Sequence, residues 1–194
     1  MGVLTELKKS PEQITTKEIK KSLEELLSEK YQEVFIGYKV NKAIFRVKGK
    51  RLVEFAESLG TLSPKYVDVG LTEDGKPDYS NIKAHSTFPN CFTIDAAFDS
   101  TNFRFPPVEG ETQGKLLIPI PSKILHTGME IDYSNAEIGI LPKQKLYTTG
   151  YCDEIYVRNK KLWLRIHLDT RTNEGLLVVQ SKVQFVIREG GFTL

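Results

Sequence analysis

Residues 145–159 read KLYTTGYCDEIYVRN, residues 160–170 read KKLWLRIHLDT, and residues 175–188 read GLLVVQSKVQFVIR. In the middle run Leu162, Leu164, Ile166 and Leu168 alternate with Lys161, Trp163, Arg165 and His167. Successive side chains of a strand point to opposite faces of a sheet, so this period of two describes half-buried strands. Polar turns separate the three runs, and the stretch therefore predicts an antiparallel meander. It defines an architecture more clearly than it defines a function.

Working outward, the N-terminal residues have helical signals. Thr15 and Glu18 stand at capping-box spacing, and Ile19, Leu23, Leu26 and Leu27 follow at intervals of four and three, which builds one apolar stripe. Ser10-Pro11 reads either as a helix start or as the break after a short helix carrying Val3, Leu4 and Leu7. From Glu33 the runs EVFIGYKV and AIFRVKG predict a hairpin about Asn41-Lys42. RLVEFAESLG predicts a short helix closed by Gly60, and KYVDVGL, FTIDAAF, GKLLIPIP and EIGIL read as further short strands. The segment DSTNFRFPPVEGE reads as a long exposed loop.

These elements divide the chain into a helical segment over residues 1–30 and an antiparallel β-rich domain over residues 31–194, with one short helix near 51–59. The fold class expected is α+β, with the sheet strongly curved or closed into a barrel, since closure removes exposed edges. A barrel of about eight strands is either filled by side chains or hollow enough for one small ligand.

With 194 residues the chain is long enough for one substantial core. Its net charge of +2 argues against a surface built wholly for nucleic acid. The charge is uneven, because residues 1–51 hold 12 Lys/Arg against 7 Asp/Glu. Two cysteines, Cys91 and Cys152, make no disulfide framework and read as reduced thiols of a cytoplasmic protein. No apolar run reaches the roughly 20 residues of a membrane span.

No catalytic motif appears. His85, His126 and His167 lack the spacing of metal ligands, and no metal or cofactor is expected. Asp153 and Glu154 are adjacent on a strand and point to opposite faces, so they do not converge as a catalytic pair unless a bulge intervenes. Cys152 beside two carboxylates has its thiolate disfavoured. The run KAIFRVKGKR places Lys42, Arg46, Lys48, Lys50 and Arg51 among Phe45 and Val47, a pattern open to an acidic protein, a membrane surface or nucleic acid, or to an ordinary solvated strand. Tyr147, Tyr151, Tyr156, Trp163 and Phe185 either fill a barrel or line an apolar pocket in it.

The helical start, the motif Tyr151-Cys152-Asp153-Glu154, Arg158 and the strand KLWLRI resemble the plastid-lipid-associated (fibrillin) proteins. Val157 stands where that family has its first arginine, and Asn159-Lys160 replaces its glycine turn. The ending, with Ser181-Lys182-Val183 and Gly190-Gly191-Phe192, is similar to the last strand of S/U-type bilin lyases. The resemblance implies a lipocalin-like barrel that binds a lipid, quinone or pigment without catalysis, in the plastid stroma if the likeness holds. The alternative is a solid barrel that binds a protein or nucleic-acid partner through the basic 42–51 hairpin. An enzyme with a site assembled from distant residues has no positive support in the sequence.

Overall fold

The computed structural model describes residues 21–194. The Thr15–Glu18 capping box lies outside them. The first described helix, α1 (Leu23–Phe35), is instead capped by Ser22, whose hydroxyl accepts from the Glu25 amide while the Glu25 carboxylate accepts from the Ser22 amide. Helix α1 buries Tyr31 and Phe35.

Strand β1 (Lys39–Arg46) follows, then α2 (Gly49–Ser58), the short α3 (Pro64–Val67), and a two-residue ladder of β2 (Gly70–Leu71) with β3 (Pro77–Asp78). Helix α4 (Asn90–Phe98) and four long strands complete the chain: β4 (Ile124–Asp132), β5 (Lys145–Arg158), β6 (Lys161–Arg171) and β7 (Leu177–Ile187). The large sheet is antiparallel throughout, in the order β1-β5-β6-β7-β4. The meander expected over residues 145–187 is present as β5, β6 and β7.

The closed barrel is not. The sheet has five strands and two edges, β1 and β4, and it curves round α4 instead of round a hollow. The reason lies in α4, whose sequence NCFTIDAAF is apolar around most of its circumference. Phe92, Thr93, Ala96 and Ala97 are buried, and Ala96 and Ala97 share one core with Leu164, Ile166, Val183 and Phe185 of the sheet's inner face. The helix turns its buried face to the sheet and leaves Asn90, Asp95 and Phe98 exposed, and it occupies the space that a barrel would have left open.

Other expectations change with it. FTIDAAF is helical, not a strand. The hairpin about Asn41-Lys42 does not form, because β1 runs straight through both residues with a bulge between Val40 and Ala43. Asp99 holds that bulge, accepting from the Asn41 amide at 2.6 Å and from its side chain at 3.0 Å. GKLLIPIP is irregular apart from one bridge between Leu116 and Arg104, and EIGIL makes no strand. A second core lies at the other end of α4, where Val47, Leu52, Val53, Ile82, Phe88 and Phe92 pack together. No helix among the described residues is long and apolar enough to cross a membrane.

Candidate functional site

Between β3 and α4 the chain makes a polar connection, and its buried anchors are Ile82 and Phe88. A turn joins them, with the Phe88 amide donating to the His85 carbonyl at 2.9 Å. Thr93 then closes the first turn of α4 by donating its hydroxyl to the Pro89 carbonyl at 2.8 Å. From the far end of β4, the Tyr133 hydroxyl donates to the Ser86 carbonyl at 2.7 Å and pins the same loop. Burial pushes the Tyr133 phenol up to about 12, so it remains a donor across the physiological range.

His85 is held by this loop at the head of α4. Its Nδ1 lies 2.9 Å from the Thr87 hydroxyl and accepts from the Thr87 amide at 3.3 Å. Its ring packs beside Tyr66 of α3 and Phe55 of α2, with centroids 5.4 and 6.3 Å away. Among the described residues Nε2 has no hydrogen-bond partner, and no carboxylate touches the ring. Asp78, the acidic residue at the start of this connection, is engaged by the amide and hydroxyl of Ser80, both at 2.9 Å. Those bonds hold its carboxyl below the usual range.

The other two histidines are placed differently. His126 is exposed on edge strand β4. His167 faces away from α4, stacked on Tyr151 at 5.1 Å and bonded to Asp169 at 3.2 Å. Asp169 is further held by Gln180 and Arg171; burial raises its pKa, but these hydrogen bonds outweigh burial and leave it lowered. Among the described residues no group of three or more His, Cys, Asp or Glu side chains is placed to hold a metal.

A cleft of about 170 Å³ lies beside the first turns of α4, between Phe45 of β1, Arg51 of α2, and Cys91, Phe92 and Asp95. Burial raises the Cys91 thiol and outweighs the lowering influence of Arg51. The guanidinium of Arg51 also lies over the Phe45 ring, 5.1 Å from its centroid.

The aromatic residues singled out in the sequence share no interior. Tyr147, Tyr151, Tyr156 and Trp163 are on the outer face of the sheet, whereas Phe185 is buried on the inner face. Tyr156 and Trp163 stack with centroids 6.0 Å apart. Tyr151 borders an outer groove of about 510 Å³ with Lys39, Lys42, His167 and Asp169. The basic run is divided: Lys42 and Arg46 are on β1, Lys48 precedes α2, and Lys50 and Arg51 are in α2. Lys42 lies over the Tyr147 ring at 4.6 Å, and Lys50 pairs with Glu54 at 3.3 Å. His85 was weighed in the sequence only as a metal ligand. Its place five residues ahead of α4 became visible only with that helix, which sequence periodicity assigned to a strand.

A curved antiparallel sheet wrapped round one buried helix is the hotdog fold. Residues 34–174 match the model of the FAS1-like, dehydratase domain region, and the chain belongs to that family. The likenesses to fibrillins and bilin lyases are thereby overturned, and with them the lipocalin-like barrel and the non-enzymatic lipid or pigment binding; the plastid location, which rested on the fibrillin likeness, loses its support. No curated protein matches the chain. Among solved structures the chain is similar to the C-terminally truncated HadBC (3R-hydroxyacyl-ACP dehydratase) complex of Mycobacterium tuberculosis. The TM-score is 0.56 at 12% identity, covering 78% of this chain and 96% of that one. R-hydratase PhaJ1 of Pseudomonas aeruginosa gives 0.51 at 16%, covering 82% and 85%. A monoamine oxidase regulatory protein of Archaeoglobus fulgius gives 0.54 at 15%, covering 82% and 94%.

Proposed function

We propose that this chain is a hydratase/dehydratase-type hotdog domain acting on an acyl thioester, with His85 as its acid–base or hydrogen-bonding group. One observation carries the reading: His85 is fixed through Nδ1 just ahead of α4, and its Nε2 has no hydrogen-bond partner among the described residues. Removing water from a β-hydroxyacyl thioester, or adding it back, requires proton transfer at carbon and oxygen near neutral pH. Imidazole is the side chain suited to that range. The family to which the chain belongs supports the reaction class, and the hydratase and dehydratase titles of its structural neighbours agree with it.

A second reading is favoured by a specific absence. Among the described residues no carboxylate contacts His85, so the second proton-transfer group would come from another hotdog domain. The open edge strand β4 offers such a domain a place to pair, since Leu125, His126 and Thr127 are exposed there. HadBC is by its title a complex, which agrees with this reading.

The test is hydration of crotonyl-CoA, followed by loss of its enoyl absorbance. Measurable turnover that falls about a hundredfold or more in His85→Ala is expected if the chain acts alone. Turnover unchanged by that substitution would remove His85 from the reaction.

A further inference from the structure

We infer that the groove on the outer face of the sheet binds a nucleotide, with its phosphates on Lys39 and Lys42 and its base against Tyr151. The groove lies on the opposite face of the sheet from α4, and nothing in it depends on the thioester reading.

A fault in the strand ladder makes the groove. Strand β1 pairs with β5 at Val40–Gly150 and again at Ala43–Thr148, and the bulge between them sets Asn41 and Lys42 against Thr149. Asp99 holds the bulge by accepting from the amide and the side chain of Asn41. The space left is about 510 Å³, within the range of small-molecule sites.

Register decides what faces this space. Lys39 stands beside Tyr151 and Tyr151 beside His167, while Thr149 stands beside Asp169 in the next row. Neighbouring strands are about 4.8 Å apart, so the lysines of β1 and Asp169 of β6 form banks roughly 10 Å from each other. That is the reach from a nucleotide's phosphate to the far edge of its base.

The two banks differ in charge. Lys39 and Lys42 enter no ion pair among the described residues. Lys42 is held 4.6 Å over the Tyr147 ring, a contact that fixes its ammonium without neutralising it. An ammonium is a point charge, which suits a phosphate, whereas a planar guanidinium suits a carboxylate. Asp169 does not cancel the lysines, because it is already engaged by Arg171, Gln180 and His167 on its own side. Between the banks, Tyr151 is 42% exposed and its ring is stacked on His167, so an aromatic face is held in place and open to solvent. Bases of any identity stack on such a face.

ATP tests the groove, since it offers a nucleotide and no thioester. In an amide ¹H–¹⁵N titration of the full chain, ATP should shift residues 39–42, 149–151 and 167–169. Tyr151→Ala should weaken binding about tenfold through loss of one stacked base. Lys39→Gln/Lys42→Gln should weaken it about tenfold or more, and Lys50→Gln, outside the groove, should leave it unchanged. Adenosine and tripolyphosphate, the two halves of the ligand, should each bind at least roughly tenfold more weakly than ATP. Tripolyphosphate as tight as ATP would reduce the groove to a phosphate site and overturn the inference. So would shifts that avoid these residues, or ATP binding untouched in a Tyr151→Ala variant with the wild-type far-ultraviolet spectrum. A short oligoadenylate that takes the same residues more tightly than ATP would uphold the site and assign its nucleotide to a single strand.

Discussion

Thr148 and Thr170 bond to each other through their hydroxyls at 2.9 Å, on neighbouring strands and both buried. Each satisfies the other, so single and double replacements should differ in kind. Thr170→Val leaves the Thr148 hydroxyl without its partner and is expected to cost about 1–3 kcal/mol in urea unfolding. The Thr148→Val/Thr170→Val pair should recover most of that loss. Gly150 shows how close β5 and β6 come: a Cβ there would stand 2.0 Å from the His167 carbonyl oxygen, and the obstacle is backbone. Gly150→Ala should lower the midpoint of thermal unfolding, whereas Gly139→Ala, with open space around its Cβ position, should not. Cys152 is held up to about 12 by burial first and by Asp153 second. The sequence reading saw the second cause, which is local, and missed the larger one, which is created by packing. Native protein should accordingly leave Cys152 unlabelled by a thiol reagent at neutral pH, whereas denatured protein should expose both thiols. Tyr31 and Tyr133 are each raised to about 12 by desolvation from an ordinary value near 10. Folding favours their neutral forms, so this stability is full below pH about 10 and is lost as pH rises towards 12. Urea midpoints measured across that window should fall, and they should fall less in Tyr133→Phe.

At the scale of elements, legibility in the sequence followed period and length. The three C-terminal strands were readable because each alternates over many residues, as Leu162 to Leu168 does. Helix α4 was not, since the seven-residue run FTIDAAF, with five apolar residues, reads equally as a buried strand or a buried helix segment. Strand β4, ILHTGMEID, was missed because its register shifts between His126 and Gly128, which breaks the alternation. The same misreading of α4 concealed the candidate site, for a histidine five residues ahead of a helix is notable only once the helix is known. Ala96 and Ala97 sit where α4 meets the inner face of the sheet, at 2% and 0% exposure. Ala97→Leu should overfill that contact at a cost of roughly 1–3 kcal/mol, read as a lowered unfolding midpoint.

For the molecule as a whole, the decisive fact is what occupies the concave side of the sheet. A hollow barrel and a sheet wrapped round a helix have nearly the same strand signals, and they differ in one nine-residue segment, α4. Closure by pairing the edges would have needed an interior free for side chains or a ligand, and α4 fills it. The outer face, with Tyr151, Trp163 and His167, then becomes the solvent side of the sheet and not the wall of a barrel interior. Any substrate must be met at the ends of the helix or across an edge of the sheet. A thioester is therefore expected to bind beside the loop that precedes α4. The most direct measurement is an amide ¹H–¹⁵N titration of the full chain with butyryl-CoA, which can be neither hydrated nor dehydrated. Shifts centred on residues 85–91 and on Tyr66 are predicted; shifts confined to the outer face around Tyr151 and His167, or no shifts at all, would contradict the account.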